Sequence, residues 1–543
     1  MKNSDIFELI GEADEKYVAD AAKPIKKKRP TKRMFLIPAV AVLLASAIIF
    51  GFMMLPGSRP NPPAPGSNEI PETTAAGESP DVIQTTNTPS GTEKPVGTGS
   101  AVTTRPALTN KIPIYSQPTF NPVAPDVADK LAPYALLSAL YPETAQYVDY
   151  FEDKEGHEKW DADKKALNKL YYSLENRPTE FYGKIIAQYL SGLGNDNAVL
   201  SPVNIYMALA MLAETTDGNS RAQILNLLGV NSIEELRVQA VAVWRAHYCK
   251  DGTDSSTLAS SIWMDNGISY NEDTLKRLTE TYYASSFYGE MGSDGYNEAL
   301  RAWLNEQTGG MLADQIEELE MNSNTVLAIA TTVLFKAKWE SEFDAKKNTQ
   351  NVFHGADGDV MGTFMNQKMD GTDYIIGDKF TSVNSKFSSG GGMRFILPNE
   401  GVSIDELLRD PNALGFITSG SYGVECRNVE VNLSLPKFDV SSDINLIDGL
   451  KELGVTDVFD ENVSDFSPLT DVPYIYVNNA QHGARVVIDE EGCVASAYTI
   501  LDMEGGSMPP EETVDFVLDR PFIFVITSDV GAPLFVGVVN QLK

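Results

Sequence analysis

The sequence predicts an α+β fold in which helices pack on large, mostly antiparallel sheets. Three observations carry this. Helical apolar periods crowd the first half of residues 175–543, and β-branched runs crowd the second. The chain then ends on two strand-like runs joined by a Ser-Asp-Val-Gly-Ala-Pro turn. With 43% hydrophobic and 22% charged residues the composition is that of a globular protein, so the chain as a whole is not disordered. A length of 543 residues allows about three domains, or one large domain with tails.

Residues 1–33 end in a basic run, Lys23, Lys26, Lys27, Lys28, Arg29, Lys32 and Arg33, and are expected to be cytoplasmic. Residues 34–55, MFLIPAVAVLLASAIIFGFMML, carry no charge. As a transmembrane helix rising about 1.5 Å per residue they span roughly 33 Å, enough for a hydrocarbon core of about 30 Å. A signal anchor in the lipid bilayer is expected, with the remainder of the chain displayed outside the cell membrane. The rival is a signal peptide cleaved near Ala45-Ser46-Ala47, which makes the domain secreted. The apolar run continues through Ile48, Ile49, Phe50, Phe52 and Met53, which favours the anchor. Residues 56–123 are rich in Pro, Thr, Ser and Gly and read as a disordered linker, too poor in apolar surface to offset chain entropy.

Residues 124–174 form an N-terminal extension that is expected to pack on the main domain. Leu131, Tyr134, Leu136, Leu137 and Leu140 suit a helix, followed by an acidic loop over 152–160. The main domain, residues 175–543, opens with a helix over 180–190, whose apolar face is Phe181, Ile185, Ile186 and Tyr189. A second helix follows over 202–212 and stops at the Thr216-Asp217-Gly218 turn. Buried strands are expected over 326–335, 429–435, 474–477, 522–526 and 534–539.

The formal charge is −32, so the chain repels phosphate backbones and nucleic acid is not an expected partner. Three cysteines, Cys249, Cys426 and Cys493, make neither a disulfide framework nor a zinc spacing. The histidines, His157, His247, His354 and His482, are scattered, and no metal or cofactor is expected. Ser201 precedes Pro202 at a helix start and reads as a cap rather than a nucleophile. Gly390-Gly391-Gly392 reads as a surface loop, and Asp489, Glu490 and Glu491 as a solvated strand end. Nothing forms a catalytic constellation, so the chain is not expected to be an enzyme.

Residues 490–515 resist so plain a reading. Some 20 residues of loop inside a compact domain are unusual. Cys493, Ala495, Ala497 and Thr499 are small and alternate with the larger Val494, Ser496, Tyr498 and Ile500. That is a strand period with one tightly packed face. The segment reads as a loop in one state and a central strand in another, with an ordinary edge hairpin as the alternative.

The residues from about 180 onward resemble the serpins. Asn197-Ala198-Val199-Leu200-Ser201-Pro202 resembles the start of that family's second helix, and Gly218-Asn219-Ser220 with Gln223-Ile224 the turn after it. Trp303, Thr308, Gly310 and Leu312 are followed by Phe335-Lys336, Trp339, Phe343 and Phe353, with Ala337 where the family has Gly. Then come Leu435-Pro436-Lys437-Phe438, Leu453-Gly454, Asp465-Phe466-Ser467, His482 and Glu490-Glu491-Gly492. Asp519-Arg520-Pro521-Phe522 and Leu534-Phe535-Val536-Gly537 complete the series.

The resemblance implies the serpin fold with an exposed reactive loop, and a suicide-substrate inhibitor of serine proteases. The loop is cleaved, the protease is left acylated on it, and the freed strand inserts into the central sheet. The implied hinge is Glu490, Glu491, Gly492, Cys493, Val494, Ala495, Ser496 and Ala497, where inhibitory members usually have Thr in place of Cys493 and Ala in place of Ser496 and Tyr498. A polar cluster where the sheet opens falls on Ser201, Asn204, Thr331 and His482, two of the four being substitutions. Family spacing puts the scissile bond near Gly506-Ser507, with Met503, Glu504 and Met508 as further candidates. No Lys or Arg occurs between Gly492 and Asp519, so elastase-like or subtilisin-like proteases are the expected extracellular partners and trypsin-like ones are not. A monomer is expected, of bacterial surface type. The alternatives are a non-inhibitory serpin acting as a binding module, and a membrane-anchored hydrolase using Ser201 or His482.

Overall fold

A computed structural model describes residues 47–56, 124–142, 144–148, 150–251, 255–388, 390–420, 423–493 and 512–542. Seven strands make the main path of the nine-stranded central sheet: β1 (Ala47–Pro56), β2 (Ala135–Leu137), β3 (Ser255–Asp265), β4 (Ala284–Gly289), β5 (Thr325–Lys338), β6 (Asp439–Asn445) and β7 (Asn479–Val487), with the short strand Cys249–Lys250 pairing on β3. Their spatial order is β6–β7–β1–β5–β3–β4–β2, antiparallel throughout except for the parallel β3–β4 pair. A two-residue strand, β8 (Gly492–Cys493), pairs with the end of β5. The second sheet runs from Thr513–Val517 through Glu425–Pro436, Gly358–Ile376, Phe380–Lys386, Gly392–Pro398, Phe522–Thr527 and Pro533–Val539 to Ala198–Leu200.

Helices α1 (Pro125–Leu131), α2 (Lys154–Tyr172), α3 (Thr179–Leu190), α4 (Pro202–Thr215) and α5 (Ile233–His247) open the domain. Every residue of α4 is buried, as expected of a helix that is apolar all round. It lies against β5 and against Pro533–Val539, between the two sheets. The faces of β5 alternate with the period of a strand. Leu327, Ile329, Val333, Phe335 and Ala337 enter the main core, while Ala328, Ala330 and Leu334 pack with Leu300, Trp303 and Leu304 of the helix Asp294–Gln307.

Several expectations are corrected here. A helix was expected over 34–55. Residues 34–46 lie outside the described residues, and 47–56 are a strand, hydrogen-bonded to β5 on one edge and β7 on the other. A continuous apolar run rich in Ile and Phe satisfies a buried strand as well as a helix, so the sequence does not separate the two. Among the described residues no helix is long and apolar enough to cross a membrane. Residues 1–33, expected as a cytoplasmic segment, and 57–123 of the linker expected over 56–123 also lie outside the described residues, while Pro56 ends β1.

In the extension the expected helix stops at Leu131. Residues 135–137 turn into β2 instead, because β4 offers an open edge at Phe287 and Ser286. The expected acidic loop over 152–160 is largely helix: Asp153 caps α2, its Oδ1 accepting the Gly156 amide at 3.0 Å. Leu170 of α2 packs on Val238 and Ala242 of α5, and the Tyr172 hydroxyl donates to the Val530 carbonyl at 3.1 Å. Residues 474–477 are not a strand. Tyr474 is exposed with φ 61, and the Val477 amide bonds the Val458 carbonyl rather than a sheet edge.

Candidate functional site

The candidate site is the head of the central sheet, where the chain leaving β7 returns to β5. The chain there is tied down atom by atom. Lys437 Nζ lies 2.7 Å from the Glu490 carboxylate, and Asn348 Nδ2 donates to it at 2.6 Å. Burial alone raises that carboxyl, but the Lys437 and Asn348 hydrogen bonds outweigh it and hold Glu490 below the usual range. The Phe343 amide donates to the Glu490 carbonyl at 2.9 Å, and the Trp339 amide to the Glu491 carbonyl at 3.1 Å. Asp489 Oδ1 accepts from the amides of Glu491 and Gly492, which closes the turn into β8. Asp489, Glu490 and Glu491 thus fasten the turn into β8 rather than form a solvated strand end.

Gly492 has φ 149, and a Cβ there would sit 2.2 Å from the Ala337 carbonyl oxygen. Only glycine brings the chain this close to β5. It stands opposite Lys338, and Cys493, fully buried in the main core, stands opposite Ala337. From Phe335 to Thr325 the same edge of β5 is taken by β1. Gly51 of β1 is opposite Thr331 on one side and His482 on the other.

That crossing point gathers the four polar residues picked out by resemblance. The Ser201 amide donates to His482 Nε2 at 3.1 Å, the Asn204 amide to Ser201 Oγ at 3.2 Å, and Asn204 Nδ2 to the Thr331 carbonyl at 3.3 Å. All four are buried. Ser201 Oγ serves as the cap of α4, and His482 Nε2 faces the Ser201 backbone rather than its hydroxyl. A nucleophile needs its base on the hydroxyl and access for a substrate, so this geometry argues against the hydrolase reading. Val494, Ala495, Ser496, Ala497, Met503, Glu504, Gly506, Ser507 and Met508 lie outside the described residues.

Two features were not read from the sequence. Lys437 carries no local sign of its role, because its partner is 53 residues away. Glu214, buried in α4, binds Arg237 at 2.7 Å, Arg277 at 2.8 Å and the Tyr282 hydroxyl at 3.1 Å. An acid inside so apolar a helix was the signal available, since a buried carboxylate needs partners. Its role is to join helices.

Residues 177–542 match the family model described as Serpin (serine protease inhibitor). Serpin-ZX of Arabidopsis thaliana is 27% identical over 390 residues, covering 68% of this chain and 97% of its own length. Alpha-1-antitrypsin of Meriones unguiculatus is 28% identical over 360 residues, covering 64% and 85%. The solved structure of the thermophilic serpin tengpin in its native state superposes with a TM-score of 0.59 at 23% identity, covering 75% of this chain and 98% of that one. Its latent state gives 0.57 at 24%, with coverage of 68% and 99%. At that identity the structural likeness establishes the fold, and the family match extends over most of the main domain. The chain belongs to the serpin family.

Proposed function

We propose that the chain inhibits serine proteases as a suicide substrate. The observation that carries this reading is β8: two hinge residues already pair with β5 at the head of a strand position. Continued in that register, Ala495 comes opposite Phe335, Ala497 opposite Val333 and Thr499 opposite Thr331. Those β5 positions lie on the main-core side, or at the buried polar crossing, so the small side chains are the ones that turn inward. Tyr498 falls opposite Thr332, on the other face. The register runs out at Thr325, the start of β5, opposite Gly505. The length of the sheet therefore supports a scissile bond at Gly506-Ser507, just beyond the last residue that can pair.

The chemistry follows. The protease serine attacks the Gly506 carbonyl, the Gly506–Ser507 amide breaks, and Ser507 leaves as a free amine. An acyl ester joins Gly506 to the protease. Insertion, with β1 displaced from the edges it holds, then fills the backbone hydrogen bonds of β5 and β7 and moves the ester away before water hydrolyses it. Elastase-like and subtilisin-like proteases fit the Gly-Gly-Ser bait, and Met503, Glu504 and Met508 are the secondary bonds. Incubation with a protease panel tests this. An SDS-stable complex and a released peptide beginning at Ser507 are expected. Clean cleavage without a complex overturns it.

One observation favours a second reading, a non-inhibitory serpin: β1 holds the edges that insertion needs. A loop-cleaved chain whose thermal stability does not rise supports that reading. We further propose that the main domain stands outside the cell on an anchor over residues 34–55, a state in which 47–55 leave the sheet. Protease added to intact cells then releases the domain by cuts within 56–123. A domain in the medium that begins near Ile48 indicates a cleaved signal peptide instead.

A further inference from the structure

Strands β1 and β8 share one edge of β5, end to end. β8 pairs Gly492 with Lys338 and Cys493 with Ala337. β1 pairs Ala47 with Phe335 and continues without a break to Leu55, opposite Leu327. Among the described residues, Lys336 alone separates the two pairings. Both strands run antiparallel to β5, so they have the same polarity. The other edge of β1 is bonded to β7, from Ile48 opposite Arg485 to Met54 opposite Asn479. Residues 47–55 thus fill, in direction as well as in place, the strand position that the cleaved loop takes in the inhibitory reading. In the register of β8 the loop can add Val494 and no more, because Ala495 would need Phe335, which Ala47 holds.

The two strands match in backbone and differ in composition. Residues 47–55, AIIFGFMML, include no polar residue. The position they fill has polar neighbours on β5. Opposite Thr331, in the buried polar crossing, stands Gly51. Opposite Thr332, whose Oγ1 is buried without a hydrogen-bond partner, stands Phe50. In the register of β8 the loop brings Thr499 to Thr331 and Tyr498 to Thr332, two hydroxyl-bearing residues where β1 has none. Either strand fills the same backbone ladder, so exchanging one for the other trades side chains and little else. Residues 57–123, which read as a linker, separate β1 from α1 in sequence, so β1 can leave the sheet without dragging a neighbouring element.

We propose that β1 is a placeholder: residues 47–55 hold the strand position between β5 and β7, and the cleaved reactive loop enters only as they are expelled. Its consequence rests on the inhibitory reading. The acyl ester hydrolyses while the exchange is awaited, so a chain with β1 seated is turned over as a substrate more often than it traps the protease. The full chain carrying Ile49→Cys and Val333→Cys tests this. The two positions are directly opposite, and opposite Cα atoms about 4.5–5.5 Å apart lie within disulfide reach. A disulfide between positions 49 and 333, mapped by peptide mass, is expected on mild oxidation. Subtilisin then cuts the loop in both redox forms. Cleavage should raise the unfolding temperature of the reduced form and leave that of the oxidised form unchanged. The yield of SDS-stable complex should fall at least tenfold on oxidation and recover with reductant. Gly51→Pro removes a backbone donor from the middle of a central strand and should raise that yield several-fold over the parent, while Ala101→Pro in the linker should not. Failure of the disulfide to form, or equal gains in unfolding temperature in the two forms, overturns the proposal. A gain confined to the reduced form, with no complex from either, supports the placeholder and overturns the inhibitory reading instead. The disulfide and the temperature shift keep the test decisive should Gly51→Pro fail to fold.

Discussion

A single missing carbon sets how closely β8 approaches β5. At Gly492 a Cβ would meet the Ala337 oxygen at 2.2 Å and Lys338 Cα at 2.8 Å, both backbone atoms that cannot step aside. Gly492→Ala therefore expels β8 from its place on β5. Cys493 reports it: the thiol is buried in the parent, whereas Cys426 is exposed. Iodoacetamide should alkylate Cys493 much faster in the variant, with Cys426 as the internal reference, and unchanged protection would contradict the assigned register. Ala497 is the second test at this scale. On the proposed insertion, Ala497→Arg would carry a charge to the main-core face opposite Val333, and an unpaired buried charge costs several kcal/mol, roughly. Insertion should then slow, and the variant should be cleaved as a substrate with no covalent complex on a denaturing gel.

At the scale of elements, the fastening of the hinge depends on protonation. Glu490 is held below the usual carboxylate range, so the Lys437 clamp is at full strength above the unfolded value of about 4.3. The clamp is lost as pH falls through the lower, folded value. The protection of the Gly492 and Cys493 amides, taken relative to their intrinsic exchange rates, should fall in that acid window, and Lys437→Met should show the same loss of protection at pH 7. Helix α2 is held differently, by Leu170 against Val238 and Ala242. Leu170→Ala should cost about 2–3 kcal/mol in denaturant unfolding.

The legibility of the elements follows their physics. Helix α4 and strand β5 were readable because composition and period agree with burial on every side. The end of α1, the strand β2 and the start of α2 were not, because each depends on an edge or a cap offered by distant residues: Phe287 for β2, and Asp153 positioned over Gly156. The polar crossing of Ser201, Asn204, Thr331 and His482 was legible only by resemblance. Its members lie on three elements, and each of the three hydrogen bonds described above joins one backbone group to one side chain.

For the whole molecule, the ten residues of β1 are the feature with the widest reach. The apolar run they belong to can dissolve in lipid or complete a sheet, but one polypeptide segment cannot do both. On the proposed anchor, the bilayer would compete with the molecule's own sheet. With the run held in lipid, the position between β5 and β7 would be open to the reactive loop. With the run out of lipid, β1 would close it. A protease that cut the stalk beyond Pro56 would then shed a domain with that position open, the run staying behind in the membrane. Reconstitution in nanodiscs against detergent-free solution measures this. Inhibition should be faster in nanodiscs, and equal rates would mean that β1 and the reactive loop never contend for the same edge.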